Sequence, residues 1–174
     1  YIALTGGGQN AKPGEISLAH NGVLFLDEVP EYSRHSLESL RQPLEDKVIT
    51  IARANKTVTY PANFMLIASM NPCPCGNYGS KTKECTCTVT QIQNYLHKLS
   101  GPLMDRIDLH VEVDSVSYGE LVSEDTAEPS SKVNERINAA RAVQAERFTG
   151  QDIRTYSQMS AQLTKKYCAL DGKG

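Results

Sequence analysis

The stretch GVLFLDEV, which runs from Gly22 to Val29, places four apolar residues directly before two carboxylates. A short apolar run that follows a turn predicts a buried strand over residues 23–26, apolar on both faces. Parallel strands of an α/β sheet deliver their carboxyl ends to the ligand-binding crevice. We therefore expect Asp27 and Glu28 to lie at the edge of a binding site.

Two adjacent carboxylates at such an edge suit a metal–phosphate site. Carboxylate oxygens are ligands that Mg²⁺ prefers, and Mg²⁺ usually binds substrate phosphates as well. Asp27 is the predicted magnesium ligand, and Glu28 is predicted to polarise a water molecule aimed at a γ-phosphate. Four apolar residues followed by Asp-Glu form the Walker B pattern of ATPases, although so short a pattern also fits an exposed acidic turn.

A second apolar run, FMLIAS at residues 64–69, predicts another buried strand and is followed by Asn71. An amide side chain donates and accepts hydrogen bonds at once, so Asn71 is a candidate for positioning the attacking water. The alternative is that Asn71 only forms a turn before Pro72.

Arg106 stands in a polar break before a third predicted strand, residues 107–113, whose apolar residues alternate. An arginine at this break could reach the nucleotide of a neighbouring subunit and neutralise charge in the transition state. The alternative is a surface ion pair with Asp105 or Asp108.

The remaining patterns predict helices and a hairpin. Ser33 can cap a helix that carries an apolar stripe, in which Pro43 predicts a kink or an early stop. Residues 48–53 and 57–61 alternate around a slightly long turn, which predicts a β-hairpin. Residues 133–148 predict a helix, and residues 4–17 predict a glycine-rich loop. The helical stripes are formed by Leu37, Leu40 and Leu44 in the first helix and by Val133, Ile137 and Ala140, facing inward, in the second.

Composition and length set the class of protein. The 174 residues are 40% hydrophobic and carry a net charge of −2, so we expect a packed α/β domain without a general attraction to nucleic acid or membranes. We predict a core over residues 1–113, an acidic, serine-rich linker over 114–132 and a helical segment over 133–174. Because no signal peptide or membrane-length apolar run is visible and the chain opens without methionine, we interpret it as a piece of a longer cytoplasmic protein.

Four of the five cysteines lie close together in two pairs, Cys73-Pro-Cys75 and Cys85-Thr-Cys87. Two close pairs joined by a short loop can place four thiolates around Zn²⁺, and four protein ligands leave no open position, so the predicted site is structural. Two disulfides or four free thiols are the alternatives. The reducing poise of the cytosol disfavours the disulfides.

In this order, the motifs resemble one family. The chain resembles the AAA+ ATPases of the magnesium-chelatase-I-like group, and within it the competence protein ComM branch, over residues 6 to about 148. The strings that carry the resemblance are KPGEISLAHNGVLFLDEVPE, LESLRQPLEDKVITIARA, MNPCPCGNYG and LSGPLMDRIDLHVEV. The resemblance implies a partial three-layer α/β/α core of the P-loop NTPase type, ATP with Mg²⁺ as cofactor, Asp27 and Glu28 as Walker B, Asn71 as first sensor and Arg106 as arginine finger.

The resemblance also implies an assembly. The hairpin at 48–61 resembles the pre-sensor hairpin that faces the pore of a hexameric ring, so Arg53 and Lys56 become candidate contacts to a substrate. Residues 4–14 resemble the insert of the second helix. For Arg53 and Lys56 the alternative is a solvated hairpin face.

The family's phosphate-binding loop, G-x-x-x-x-G-K-S/T, has no match in this sequence. We therefore expect the chain alone to bind ATP very weakly and to hydrolyse none. In the family, the strand that carries this loop separates the strands that correspond to 64–69 and 107–113. Two apolar edges would then lack a partner, and we expect them to be closed by strand exchange, self-association or a rearranged sheet.

Three functions remain open at this point. The first is a ring-forming AAA+ ATPase that remodels a polymer, with DNA as the substrate implied by the ComM-like resemblance. The second is the motor subunit of a chelatase that inserts a metal into a tetrapyrrole. The third is a zinc-stabilised interaction module without ATPase activity.

Overall fold

The computed structural model describes residues 1–53, 56–113, 116, 119, 122 and 127–169. The chain divides into two units, Tyr1–Ser115 and Val116–Gly174, and the division falls inside the predicted linker. Unit 1 is mixed α/β, as predicted. Its elements in chain order are α1 (Ile2–Thr5), β1 (Gly6–Gly7), β2 (Lys12–Pro13), α2 (Glu15–Leu18), β3 (Val23–Leu26), α3 (Arg34–Glu38), α4 (Arg41–Asp46), β4 (Val48–Arg53), β5 (Lys56–Pro61), β6 (Met65–Ala68), α5 (Val89–Leu96) and α6 (Gly101–Met104).

The two predicted strands that precede polar residues lie side by side. β3 and β6 pair in parallel, with Val23 opposite Met65 and Leu26 opposite Ala68. Asn21 adopts a left-handed conformation, φ 60°, in the turn just before β3. Both strands therefore end at the same edge of the sheet, which is where the candidate site is built.

Only one face of this two-stranded sheet is buried. Side chains on the other face remain open: Val23 is 54% and Phe25 59% exposed, and their partners Met65 and Ile67 are exposed as well. The prediction that both strands are buried is therefore wrong for this open face, because the described residues supply a covering layer on one side only. The core on the buried side consists of Leu4, Ile16, Leu24, Leu26, Val29, Leu37, Leu40, Ile49, Ala62, Phe64 and Leu103.

Pro43 interrupts the predicted helix. The Ser33 side chain caps α3 by accepting a hydrogen bond from the Ser36 amide at 3.2 Å, as predicted. A proline has no N–H to donate to the carbonyl four residues earlier, and the helix breaks at Ser39 and Leu40 before α4 begins. The proline signal for a kink is thus confirmed.

The predicted hairpin is present with a shorter turn. β4 and β5 pair antiparallel from Val48 opposite Pro61 to Arg53 opposite Lys56. Residues 54–55 lie outside the described residues. Lys56 belongs to a strand and not to the turn, so the prediction of a slightly long turn is wrong.

The predicted N-terminal loop contains regular structure. α1 leads into the short β1–β2 ladder, in which Gly6 has φ 87°. A Cβ at Gly6 would lie 2.3 Å from the Lys12 carbonyl oxygen, so only glycine fits this approach. The Tyr60 hydroxyl donates a hydrogen bond to the Ala11 carbonyl at 2.8 Å and ties this segment to the hairpin.

The third predicted strand is not formed. Residues 107–113 have no regular structure, and Leu109, Val111 and Val113 are 81–85% exposed. An alternating sequence becomes a strand only when a neighbour satisfies its backbone groups, and no described strand pairs with this segment. A rearranged sheet is therefore not seen among the described residues, whereas strand exchange between chains remains a prediction.

Two helices with described bounds lie in unit 2, α7 (Ser130–Arg147) and α8 (Ala161–Tyr167), with a 3₁₀ turn at Tyr156–Gln158 between them. α7 confirms the predicted helix but begins inside the predicted linker. The predicted inward residues are not buried: Val133 is half-buried, and Ile137 and Ala140 are exposed. Burial centres instead on Phe148, whose ring meets Tyr156 and Tyr167 edge-on at centroid distances of 5.5 and 5.8 Å. No described helix is long and apolar enough to cross a membrane.

Candidate functional site

Main-chain hydrogen bonds extend the β3–β6 ladder past the ends of both strands. Ser69 donates its amide to the Leu26 carbonyl at 2.9 Å, and Val29 donates its amide to the Ser69 carbonyl at 3.0 Å. Asp27 and Glu28 are held between these two bonds at the edge of the sheet. Both carboxylates are exposed, which fits a site at this edge and also the alternative of an exposed acidic turn.

Ser69 also fixes the Asp27 side chain. Its hydroxyl donates a hydrogen bond to Asp27 Oδ1. The Glu28 amide points to the same two atoms, at 3.1 Å from Asp27 Oδ1 and 3.4 Å from Ser69 Oγ. The orientation of Asp27 is therefore set before any cation binds, and an exposed, oriented carboxylate fits the ligand requirement of Mg²⁺.

Glu28 occupies a backbone conformation that is unusual for a residue with a side chain. Its φ and ψ are 50° and 49°, in the left-handed region, which costs a non-glycine residue about 1–3 kcal/mol. A hydrogen bond of 2.8 Å from the Glu31 amide to the Glu28 carbonyl helps to hold this turn. The chain bends sharply at Glu28 and continues into the 3₁₀ turn Val29–Glu31.

Asn71 lies two residues beyond Ser69, at the same edge of the sheet, and is exposed. Its surroundings come from the cysteine-rich segment that follows. A Cβ at Gly76 would lie 4.0 Å from Asn71 Oδ1, so the amide side chain sits beside the Cys73–Gly76 turn. Tyr95, on α5, lies near the Asn71 backbone amide.

Tyr95 is only 6% exposed. Burial raises the pKa of its hydroxyl above the ordinary value, and the nearby charges of Glu31 and Glu28 add to the rise, while the Asn71 amide opposes it. Tyr95 is thus a neutral phenol at physiological pH and lies within electrostatic reach of the acidic turn.

Arg106 makes an ion pair, but not with the predicted partners. Its guanidinium lies 2.8 Å from the Glu45 carboxylate on α4. The predicted alternative was an ion pair with Asp105 or Asp108. The Arg106–Glu45 contact lowers the pKa of Glu45 and raises the pKa of Arg106. Both side chains are exposed, so the pair can open at small cost.

The four predicted cysteine ligands converge. Their Sγ atoms all lie within 4.8 Å of one another, and Cys73, Cys75 and Cys85 are separated by 3.4, 3.7 and 3.6 Å. Thiolates at about 2.3 Å from a central Zn²⁺ would lie about 3.8 Å apart in a tetrahedron. The arrangement and the all-sulfur donor set therefore fit a structural zinc ion.

Backbone amides surround this cluster and differentiate its thiols. Amides of Asn77 and Thr86 lower the pKa of Cys75 to about 5, because hydrogen bonds to sulfur stabilise the thiolate. At Cys85 the Cys87 amide acts in the same direction, but burial and the neighbouring thiols prevail and raise the pKa to about 12. Cys73 is fully buried at the base of the cluster.

Residues 1–121 match the family described as magnesium chelatase, subunit ChlI. The chain belongs to the magnesium chelatase ChlI family. The resemblance inferred from the motifs is therefore confirmed.

Several curated relatives are similar to this ChlI-family chain. Competence protein ComM of Haemophilus influenzae is 50% identical over 83% of the chain, and the protein YifB of Escherichia coli is 47% identical over 83%. Both alignments span 28% of the relative's length. The chloroplastic magnesium-chelatase subunit ChlI of Oryza sativa subsp. japonica is 29% identical over 68% of the chain and 23% of its own length. The chain thus spans less than a third of these relatives.

Sequence reasoning missed two residues of this ChlI-family site, Ser69 and Tyr95. A usable signal existed for Ser69, because the register that pairs Leu26 with Ala68 places Ser69 opposite Asp27. No comparable signal marks Tyr95, which reaches Asn71 only through the folded path of the cysteine-rich segment. The described contacts bring together Asp27, Glu28 and Ser69, and separately Asn71 and Tyr95. Arg106 and Lys56 join neither group through the contacts described above.

Proposed function

We propose that this chain supplies the hydrolytic part of an AAA+ ATPase that couples Mg²⁺-ATP hydrolysis to the remodelling of DNA. The observation that carries the proposal is the shared edge of β3 and β6, where Asp27, Glu28 and Asn71 follow neighbouring parallel strands. Bound Mg²⁺-ATP would supply the phosphoanhydride and the charge that stabilises its cleavage.

Each residue at the edge has a separate role in this proposal. Asp27, oriented by Ser69, holds the magnesium ion. Glu28, projected by its left-handed turn, accepts a proton from the attacking water. Asn71 orients that water through its amide.

Assembly completes the site in the proposal. Arg106 is the residue offered to the nucleotide of a neighbouring subunit in a hexameric ring, and it must leave Glu45 to reach it. The β4–β5 hairpin, ending at Arg53 and Lys56, faces the pore and contacts DNA phosphates. The greater identity to ComM than to the rice chelatase subunit favours DNA over a tetrapyrrole partner.

A full-length protein that carries this chain tests the substrate class. We expect branched DNA to stimulate its ATPase activity, because work on a bound polymer couples binding in the pore to turnover. Rates measured with branched DNA, linear duplex and no DNA give the comparison. Stimulation by a porphyrin-binding partner instead of DNA would favour the chelatase function, and absence of any ATPase activity would favour the interaction module.

Removing the Ser69 hydroxyl tests how the magnesium ligand is oriented. In the same full-length protein, Ser69→Ala is expected to raise the Mg²⁺ concentration for half-maximal ATPase activity about tenfold, since a hydrogen bond to a charged group contributes about 1.5–3 kcal/mol. A magnesium titration of the steady-state rate measures it.

Two variants serve as controls for this titration. Ser69→Thr keeps the hydroxyl and should restore the wild-type requirement. Ser17→Ala removes a buried hydroxyl that has no hydrogen-bond partner among the described residues and should change nothing. An unchanged magnesium requirement in Ser69→Ala would contradict the role given to Ser69.

A further inference from the structure

Basic side chains are concentrated in the second half of unit 2. Residues 141–169 carry five Lys or Arg residues against two Asp or Glu residues, whereas the whole chain has a net charge of −2. A local excess of positive charge attracts polyanions even when the protein as a whole does not. This part of unit 2 therefore differs in charge from the rest of the chain.

The buried ring of Phe148 is the centre around which these basic side chains lie. It meets Tyr156 and Tyr167 edge-on. The Arg147 guanidinium lies over both tyrosine rings, 5.4 and 5.9 Å from their centres, and Lys166 Nζ lies 5.0 Å from the centre of the Tyr167 ring. Cation–π contacts of this kind hold the charged groups in place at the surface of the aromatic core.

Two further arginines, Arg141 and Arg154, line one pocket on the same core. Gln151 lines it as well and donates a hydrogen bond of 3.1 Å to the Tyr167 hydroxyl. Both arginines are exposed, and Phe148 lies buried at the pocket. Two guanidinium groups at one pocket present several N–H donors in the planar arrangement that matches the oxygens of a phosphate group.

The basic patch comprises Arg141, Arg147, Arg154 and Lys166. None of the four has a carboxylate partner among the residues that the structure describes. Arg136, on the same helix, differs because it donates to both oxygens of the Glu128 carboxylate. The Tyr156 hydroxyl accepts from Arg147 and fixes that guanidinium without cancelling its charge. The positive charge of the patch is therefore available to an external anion.

We propose that the basic patch binds the phosphate backbone of DNA, with Arg141 and Arg154 holding phosphate at their shared pocket. The choice of DNA as the polyanion rests on the proposed function, whereas the binding itself needs neither nucleotide nor assembly. The larger apolar residues at the pocket, Phe148 and Ile153, are buried and half-buried. No large apolar side chain thus stands out of the pocket to enter a lipid layer.

The salt dependence of DNA binding by the purified chain tests this patch. Arg141→Gln combined with Arg154→Gln is expected to weaken binding to a labelled DNA duplex about tenfold at low salt. The slope of log affinity against log salt concentration should fall by about two, because each lost phosphate contact removes about 0.9 from it. Fluorescence anisotropy at several salt concentrations measures both effects.

Two double variants are the controls. Lys132→Gln combined with Arg136→Gln removes the same charge from exposed positions on α7 outside the patch and should keep the wild-type affinity and slope. Arg141→Lys combined with Arg154→Lys keeps the charge and should keep the slope, which separates charge from packing. Equal unfolding temperatures show that the variants are folded.

The outcomes separate this inference from the proposed function. An equal loss of affinity in the test variant and in the charge-matched control, or a wild-type chain that binds no DNA, would overturn the inference. So would arginine-dependent binding to vesicles of phosphatidylserine and phosphatidylcholine with DNA binding unchanged in the test variant. Loss of DNA binding in that variant, in a protein whose full-length ATPase ignores DNA, would support the patch and contradict the proposed coupling.

Discussion

Replacing Glu28 with glutamine in a full-length protein that carries this chain is expected to abolish ATP turnover while ATP binding persists. Glutamine keeps the size of the side chain but cannot accept a proton from the attacking water, and general-base catalysis contributes about a hundredfold or more. Asp27 remains oriented by Ser69, so the magnesium ligand is retained. Steady-state ATPase rates and the dissociation constant of a fluorescent ATP analogue measure the two effects separately.

The control for this variant is Glu15→Gln, an exposed carboxylate in the first turn of α2. It loses the same charge away from the sheet edge and should keep the wild-type rate. Glu28→Gln also preserves the left-handed turn, since neither side chain caps it. Normal turnover in Glu28→Gln would remove Glu28 from the proposed chemistry and with it the Walker B interpretation.

A feature of the site could be predicted from the sequence when the residues that form it lie close together in the sequence. Short apolar runs predicted β3 and β6, and a turn before the first run predicted where β3 begins. The spacing of Cys73, Cys75, Cys85 and Cys87 predicted their convergence, because close cysteine pairs on a short segment can meet without help from the rest of the fold. These features depend on residues within a few positions of one another.

Other features depended on contacts between distant segments. Exposure of Phe25 was not predictable from an apolar run, because burial requires a second layer that the run does not encode. The 107–113 segment alternates as a strand should, yet it has no partner among the described residues. The left-handed turn at Glu28 is held by the Ser69 carbonyl, 41 positions away, through Val29. The Arg106–Glu45 pair likewise joins residues 61 positions apart.

The second prediction with a large effect is the loss of zinc from the cysteine cluster. The purified chain is expected to contain one zinc ion, and Cys73→Ser is expected to lose it, because serine is a poor zinc ligand and Cys73 is fully buried at the base of the cluster. Structural zinc sites in small peptides bind with about 10–16 kcal/mol, and that free energy also stabilises the fold. Elemental analysis and thermal unfolding of the chain, with and without a chelator, measure both losses.

Cys168→Ser is the matched control, since Cys168 is exposed and outside the cluster. This variant should keep both its zinc and its unfolding temperature.

Zinc affinity should fall as the pH is lowered, because zinc binds thiolates and protons compete for them. With a pKa of about 5, Cys75 is already a thiolate at pH 7, whereas Cys85, with a pKa of about 12, still carries its proton. Zinc binding at pH 7 must therefore release protons, which a pH indicator in weak buffer detects. A wild-type chain that keeps its unfolding temperature when zinc is removed would show that the cluster does not support the fold through a metal.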